Sequence, residues 1–363
     1  MEVLKKKNFL FDLLGASSPS GYETLASNVF TNFCGELGMK HEFTDSIGNV
    51  AFSVGNGKVP FMISGHIDEV GLQVQHIDKD GFIYFIKDGG SDPKIMPGSS
   101  VEILTNGGTS SIYGIIGKSP IHIEFHTENK DKAIKMKDLK IDIGARSKEE
   151  AMKYVSIGDP IVFVHPIFEL LSNRIATGSI DDKVGVYVTA MVLNKFKECE
   201  ETKPLKNIKL YGVACTQEEV GGNGATIASK RINPVYSIDY DVTFATDDGC
   251  VSEKEWGDIK IGEGGCIAYG PDKNREMCNL MKKVCEKIGL KHQPFSVGAG
   301  MTNTLKIKMA ADDCKTLLLS IPERNMHTPV EVCSLDDLES LVNMTYYFIR
   351  EIDLMLENKN TII

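Results

Sequence analysis

Apolar positions along this chain keep two rhythms, with a change near Gly71 and another near His165. From Leu4 to Leu37 they recur at helical spacing, broken at Gly15 to Gly21, where Ser17-Ser18-Pro19-Ser20-Gly21 reads as a turn. A short apolar run, Val59 to Ser64, sits between Gly55-Asn56-Gly57 and Gly65 and reads as a buried strand. From Gly71 to Val164 the segments alternate and are punctuated by turn dipeptides. Asp80-Gly81 follows Gln73 to Ile77, and Asn106-Gly107 separates Ser100 to Leu104 from Ser110 to Ile116. These are hairpin signals, and they predict an antiparallel sheet or small barrel that ends on a strand at Ile161 to Val164.

After His165 strand and helix patterns take turns. Helices are predicted over Asp181 to Phe196, Gly224 to Lys230, Arg275 to Ile288 and Leu335 to Leu356. Strands are predicted over Ile208 to Cys215, within Val235 to Ala245, and over Cys314 to Ile321. This alternation implies an α/β fold, a mostly parallel sheet flanked by helices. The simplest assembly makes residues 1–70 and 165–363 one α/β catalytic domain, with residues 71–164 an inserted all-β, barrel-like domain.

The length of 363 residues suits two domains. A net charge of -10 argues against non-specific binding to nucleic acid or anionic membranes. Lys5, Lys6 and Lys7 lead into Asn8 and Asp12, which leaves no signal-peptide core, and no apolar run approaches the roughly twenty residues of a membrane span. The expectation is a cytoplasmic protein with neither a membrane nor a nucleic-acid partner. Nine cysteines form no CxxC pair and read as reduced core thiols, so any metal here must be held by His, Asp and Glu.

Five segments put such groups at the ends of predicted strands, where open α/β sheets hold their ligands. Gly65-His66-Ile67-Asp68-Glu69 follows the first strand; His66 and Asp68 are expected to point the same way, because strand side chains repeat every two residues, and Asp68 is a candidate to orient a ligating His66. The plain alternative is a surface His beside solvated acids. Gly178-Ser179-Ile180-Asp181-Asp182-Lys183 opens a helix. Acids there often serve only the helix dipole, yet one carboxylate can bridge two cations. Thr216-Gln217-Glu218-Glu219-Val220-Gly221-Gly222 ends an apolar strand. Adjacent side chains diverge, so one acid can bind metal while the other serves as a general base. Asp239 and Asp241 lie in an apolar strand and need a cation or a donor, whether a metal or an ordinary Lys or Arg. His327 sits in a loop before the closing helix, a natural partner for His66 or simply a solvent-facing ring. Together they form an N/O ligand set suited to zinc, cobalt or manganese.

In order, His-Ile-Asp-Glu-Val-Gly (66–71), Asp-Asp-Lys-Val-Gly (181–185), Gln-Glu-Glu-Val-Gly (217–221), Asp-Val-Thr-Phe-Ala-Thr-Asp (241–247) and His-Thr-Pro-Val-Glu (327–331) resemble the motifs of the tetrahedral, or glutamyl and deblocking, aminopeptidases. Gly89-Gly90-Ser91-Asp92-Pro93 and Asp142-Ile143-Gly144 extend the resemblance into the insert. The resemblance implies a metal-dependent aminopeptidase acting on short peptides through two divalent ions, zinc or cobalt. His66 and Asp241 would hold one ion, Glu219 and His327 the other, and Asp181 would bridge them. Glu218 would be the general base for a metal-activated hydroxide, and Asp68 would orient His66. It further implies a homo-oligomer, from dimer to dodecamer, built through the β insert. The chain departs from the pattern at Lys183, where Arg is usual, at Asn325, where Tyr is usual, and at Met301-Thr302-Asn303-Thr304, where an acid becomes Asn303. The rival readings are a dinuclear deacylase or carboxypeptidase, a glycoside hydrolase, and a non-catalytic metal-dependent peptide-binding scaffold. Adjacent Glu218 and Glu219 argue against the glycosidase, because they cannot flank one glycosidic bond.

Overall fold

The computed structural model describes residues 2–120, 122 and 133–358. Eight strands form one sheet in the order Lys40–Thr44, Val50–Val54, Ile208–Cys215, Val59–His66, Tyr236–Phe244, Lys315–Glu323, Cys266–Tyr269, Gln293–Ser296. The four central strands run parallel, and the sheet turns antiparallel at the Ile208–Cys215 junction with Val50–Val54 and at the Lys315–Glu323 junction with Cys266–Tyr269. Central strands are largely buried on both faces, which is why their sequences are mostly apolar. Along Val59–His66, Phe61 and Ile63 enter the larger core and Met62, pointing the other way, enters a smaller one.

The larger core lies under the helices Glu2–Gly15, Thr24–Glu36, Ile180–Glu198, Arg275–Ile288 and Leu335–Glu357. Asn223–Ile232 and Asn303–Ala310 cover the opposite face through Ala225, Ala228 and Ile307. Arg275–Ile288 matches its predicted limits because its caps are explicit. The Asn274 side chain accepts from the Met277 amide, and Gly289 closes the other end at φ 71°.

Between the strands Val59–His66 and Arg174–Thr177, six strands close into a barrel in the order Gly71–Ile77, Ile83–Asp88, Ile141–Asp142, Ser110–Ile116, Ser100–Thr105, Pro160–Phe163. Alternate residues, among them Leu72, Val74, Ile83, Phe85, Val101 and Ile103, fill its interior as a separate core. At the Asn106-Gly107 turn both residues take left-handed backbone, φ 53° and 68°. A third, three-stranded sheet of Phe168–Leu170, Arg174–Thr177 and Glu331–Ser334 stands beside the main one. Among the described residues no helix is long and apolar enough to cross a membrane.

Candidate metal centre

Strand register brings the five segments together. Val59–His66 pairs in parallel with Ile208–Cys215, so His66 lies opposite Cys215 and next to the turn carrying Glu218 and Glu219. On its other side Ser64 lies opposite Asp239, which brings Asp241, two residues on, to the level of His66. The helix Ile180–Glu198 begins at this end of the sheet and supplies Asp181, and the loop between Lys315–Glu323 and Glu331–Ser334 supplies His327.

Two groups of potential ligand atoms result. One comprises His66, Asp181 and Asp241, the other Asp181, Glu219 and His327, with the atoms of each group within 4.8 Å of one another. Asp181 belongs to both. His66 Nε2 lies 2.9 Å from Asp181 Oδ1, and His327 Nε2 lies 3.1 Å from Asp181 Oδ2 and 3.4 Å from Glu219 Oε1. Glu218 joins neither group but lines the cavity beside them.

Buried acids and imidazoles crowd together here and shift one another's protonation. Burial raises Asp241 and Asp182 well above the usual carboxylate range, with Asp181 adding repulsion at both, and it lifts Glu218 to about 8. Asp181 is an exception. Burial would raise it, but His327 and His66 hold it well below its ordinary value. His327 is lifted to about 11, against the effect of burial, by Asp181 and Glu219.

The imidazole geometry completes the test of fit. His66 Nδ1 lies 3.0 Å from the Asp68 carbonyl and His327 Nδ1 lies 3.1 Å from the Gly90 carbonyl. Each ring therefore donates Nδ1–H to a carbonyl and turns its Nε2 lone pair toward carboxylate oxygens. That juxtaposition is repulsive unless a proton or a cation stands between them. The donor set, two imidazole nitrogens and several carboxylates, fits a pair of divalent cations.

Asp68 meets His66 through its backbone more closely than through its side chain. Its carboxylate stands 3.6 Å from His66 Nδ1, which its carbonyl engages instead. The two oxygens accept the backbone amides of Glu218, at 2.9 Å, and Glu219, at 3.1 Å, along with the Ser20 hydroxyl at 2.6 Å. The strand ends at His66, so period-two spacing does not carry on to Asp68. Asp68 clamps the turn that presents the two glutamates.

Sequence reasoning passed over several supporting groups. Glu331 accepts the His327 amide at 2.7 Å and the Asp181 amide at 3.3 Å, tying the two loops together; its place inside the 327–331 motif was the available signal. Asp182 accepts the amides of His66 and Gly185. Glu23, raised to about 7 chiefly by burial, accepts the Gln217 amide, and nothing in its sequence surroundings announces this. Lys183 is fully buried, donates to the Ala16 carbonyl at 2.7 Å and pairs with Glu69 at 3.0 Å, and Glu69 also faces His165. Asn325 takes left-handed backbone at φ 63° and donates to the Val330 carbonyl, whereas Asn303 is buried at the start of its helix.

Residues 48–344 match the model of the M42 glutamyl aminopeptidases. A lysyl aminopeptidase of Pyrococcus furiosus is 29% identical over 314 residues, spanning 85% of this chain and 86% of its own. Among solved structures, a TET aminopeptidase from a marine sediment Thaumarchaeota archaeon superposes with a TM-score of 0.90 at 27% identity, covering 99% of both chains. A TET1 peptidase of Pyrococcus horikoshii, described as assembling into a tetrahedron or a large octahedral shell, superposes with a TM-score of 0.83 at 28% identity over 95% of this chain and 99% of its own.

Proposed function

The chain belongs to the M42 glutamyl aminopeptidase family, and we propose that it trims N-terminal residues from short peptides with two divalent metal ions and Glu218 as general base. The observation that carries this reading is Asp181, common to two ligand groups whose shared cavity Glu218 lines. His66 and Asp241 would hold one ion, Glu219 and His327 the other, and Asp181 both. Zinc or cobalt, once bound, supplies Lewis acidity toward the peptide carbonyl and acidifies water.

The chain's own residues supply the rest. Glu218, its backbone amide anchored on Asp68, takes a proton from the attacking water and returns it to the departing amine. Asp68 fixes the register of both glutamates and its carbonyl holds the His66 ring. The acidic rim attracts the free α-amino group and so restricts cleavage to the first peptide bond.

We read residues 1–70 and 165–363 as the catalytic domain and 71–164 as the assembly domain of a homo-oligomer. Tyr113, Met152, Tyr154 and Ile157 leave apolar surface exposed on the insert, and the Pyrococcus horikoshii relative assembles into shells. Nine free thiols suit a cytoplasmic enzyme.

The test is Glu218→Gln in protein stripped with a chelator and reloaded with zinc or cobalt. Release of free amino acids from peptides should fall by roughly 10²–10⁴-fold while two ions per chain are retained. Near-normal turnover would remove Glu218 as the base. Cleavage of peptides with a blocked N-terminus, in preference to free ones, would favour the deacylase or carboxypeptidase reading.

A further inference from the structure

Removing a residue from a peptide needs a place for that residue's side chain. A cavity of about 270 Å³ opens off the cluster, and its titratable lining consists of His66, Asp181, Glu218, Glu219, Asp241 and His327, all members of the site itself. The remaining wall is apolar or neutral. Phe244, Trp256, Phe295, Val297, Leu318 and Met326 supply most of it, with Phe244 and Trp256 edge to face at 4.6 Å. A second cavity, touching the cluster at Asp181, Glu219 and His327, holds about 20 Å³. That is room for about one water, so it takes no side chain.

The lining decides what the larger cavity accepts. A glutamate side chain would be buried with no Lys or Arg to meet it, beside a cluster already rich in carboxylates. A lysine would lose its hydration without a carboxylate of its own. Stacking over Phe244 or Trp256 is worth roughly 0.5–2 kcal/mol, less than the cost of desolvating an ammonium. An apolar side chain replaces water against aromatic and aliphatic groups, and the volume admits one as large as phenylalanine.

We propose that this cavity seats the side chain of the residue being removed and selects large apolar residues, such as leucine, methionine and phenylalanine, over lysine and glutamate. The proposal rests on the aminopeptidase reading and sets this chain apart from the Pyrococcus furiosus relative described as a lysyl aminopeptidase.

Metal-reloaded enzyme is assayed on aminoacyl anilides carrying Leu, Met, Phe, Lys and Glu, together with the straight-chain series from alanine to norleucine. In parallel, the emission of Trp256, the one tryptophan of the chain, is followed on adding free leucine, lysine or glutamate. Expected is a kcat/KM for Leu, Met and Phe at least tenfold above Lys and Glu. Along the straight-chain series each methylene should add up to about fourfold. Leucine should perturb Trp256 at lower concentration than the charged amino acids. Val297→Asp should raise the Lys-to-Leu ratio at least tenfold.

Turnover of Lys or Glu anilides equal to that of Leu would overturn the selectivity and leave the aminopeptidase reading intact. No turnover of any anilide, with Trp256 still responding to leucine alone, would support the pocket and sink the catalytic reading. A Trp256 signal indifferent to all three amino acids would overturn the pocket.

Discussion

Gly90 offers the sharpest perturbation of the metal centre from outside it. Its carbonyl holds His327 Nδ1 at 3.1 Å, and a β-carbon built on it would lie 2.6 Å from that nitrogen and 2.8 Å from Cε1. Gly90 does not use the left-handed backbone that its neighbour Gly89 adopts at φ 81°, so alanine meets no backbone penalty. The whole effect of Gly90→Ala falls on the ring. To restore ordinary contact the imidazole must retreat from 2.6 Å to at least 3.4 Å, about 0.8 Å. Loss of a partner that orients a ligating histidine costs about 10–100-fold in metal affinity, roughly 1.4–2.7 kcal/mol. Competition titration with a fluorescent zinc chelator should find one of two ions weakened by that factor, and kcat/KM should fall similarly under limiting metal. Gly117→Ala is the control, since a β-carbon there meets nothing within 4 Å. Equal affinities for Gly90→Ala and wild type would refute His327 as a ligand held from the barrel side.

Other perturbations probe the scaffold. Glu42 would be raised by burial, but Ser53, Lys209 and Lys40 hold it down to about 2 from an ordinary 4.5. A depressed carboxylate adds stability that is present above pH 4.5 and disappears as pH falls toward 2. Glu42→Gln should therefore lose about 1–2 kcal/mol at pH 7 by denaturant unfolding, discounted for partial exposure, with the gap to wild type closing below pH 4. A gap that widens in acid would reverse the assignment. Lys183→Met strands Glu69 in the interior and should cost about 3–5 kcal/mol, with Lys183→Arg recovering most of it; a Met variant as stable as wild type would refute the buried pair. Chelation should lower Tm, and zinc or cobalt should restore it in proportion to the logarithm of free metal, because only the folded chain gathers the ligands. A Tm indifferent to metal would leave the cluster without a cation.

Much of this molecule could be read where a local rule was strong and single. Ile208–Cys215 keeps its predicted limits because this central strand is apolar apart from Lys209 and stops at a polar turn. The five motifs were legible as strand-end acids and imidazoles because the chemistry needs rare residue types in costly places. Features that depend on closure of the sheet stayed hidden. The hairpin of Lys40–Thr44 and Val50–Val54 carries mixed polarity because it lies toward the sheet edge, and its turn is held by Asp45 and Asn49 side chains. Cys266–Tyr269 and Gln293–Ser296 are four residues each, and the second contains Pro294, tolerable on an edge strand. Asn303–Ala310, which no predicted element covers, is a short helix started by the Thr302 side chain. The contacts of Asp68, Glu331 and Glu23 are to backbone amides of distant loops, and no periodicity encodes those.

The placement of Val59–His66 has a consequence for how the enzyme comes into being. This early strand lies at the middle of the sheet, between neighbours supplied by residues 208–215 and 236–244. The barrel is synthesised before either neighbour exists. On the proposed assignment, His66 waits through nearly half of translation for Asp241, and the second ligand group waits for His327. Such long-range pairing is slow, and it leaves a bare apolar strand exposed in the meantime. On the proposed ligand assignment, a chain that has reached only the strand Tyr236–Phe244 still lacks the second ligand group, which assembles once the loop carrying His327 joins the sheet.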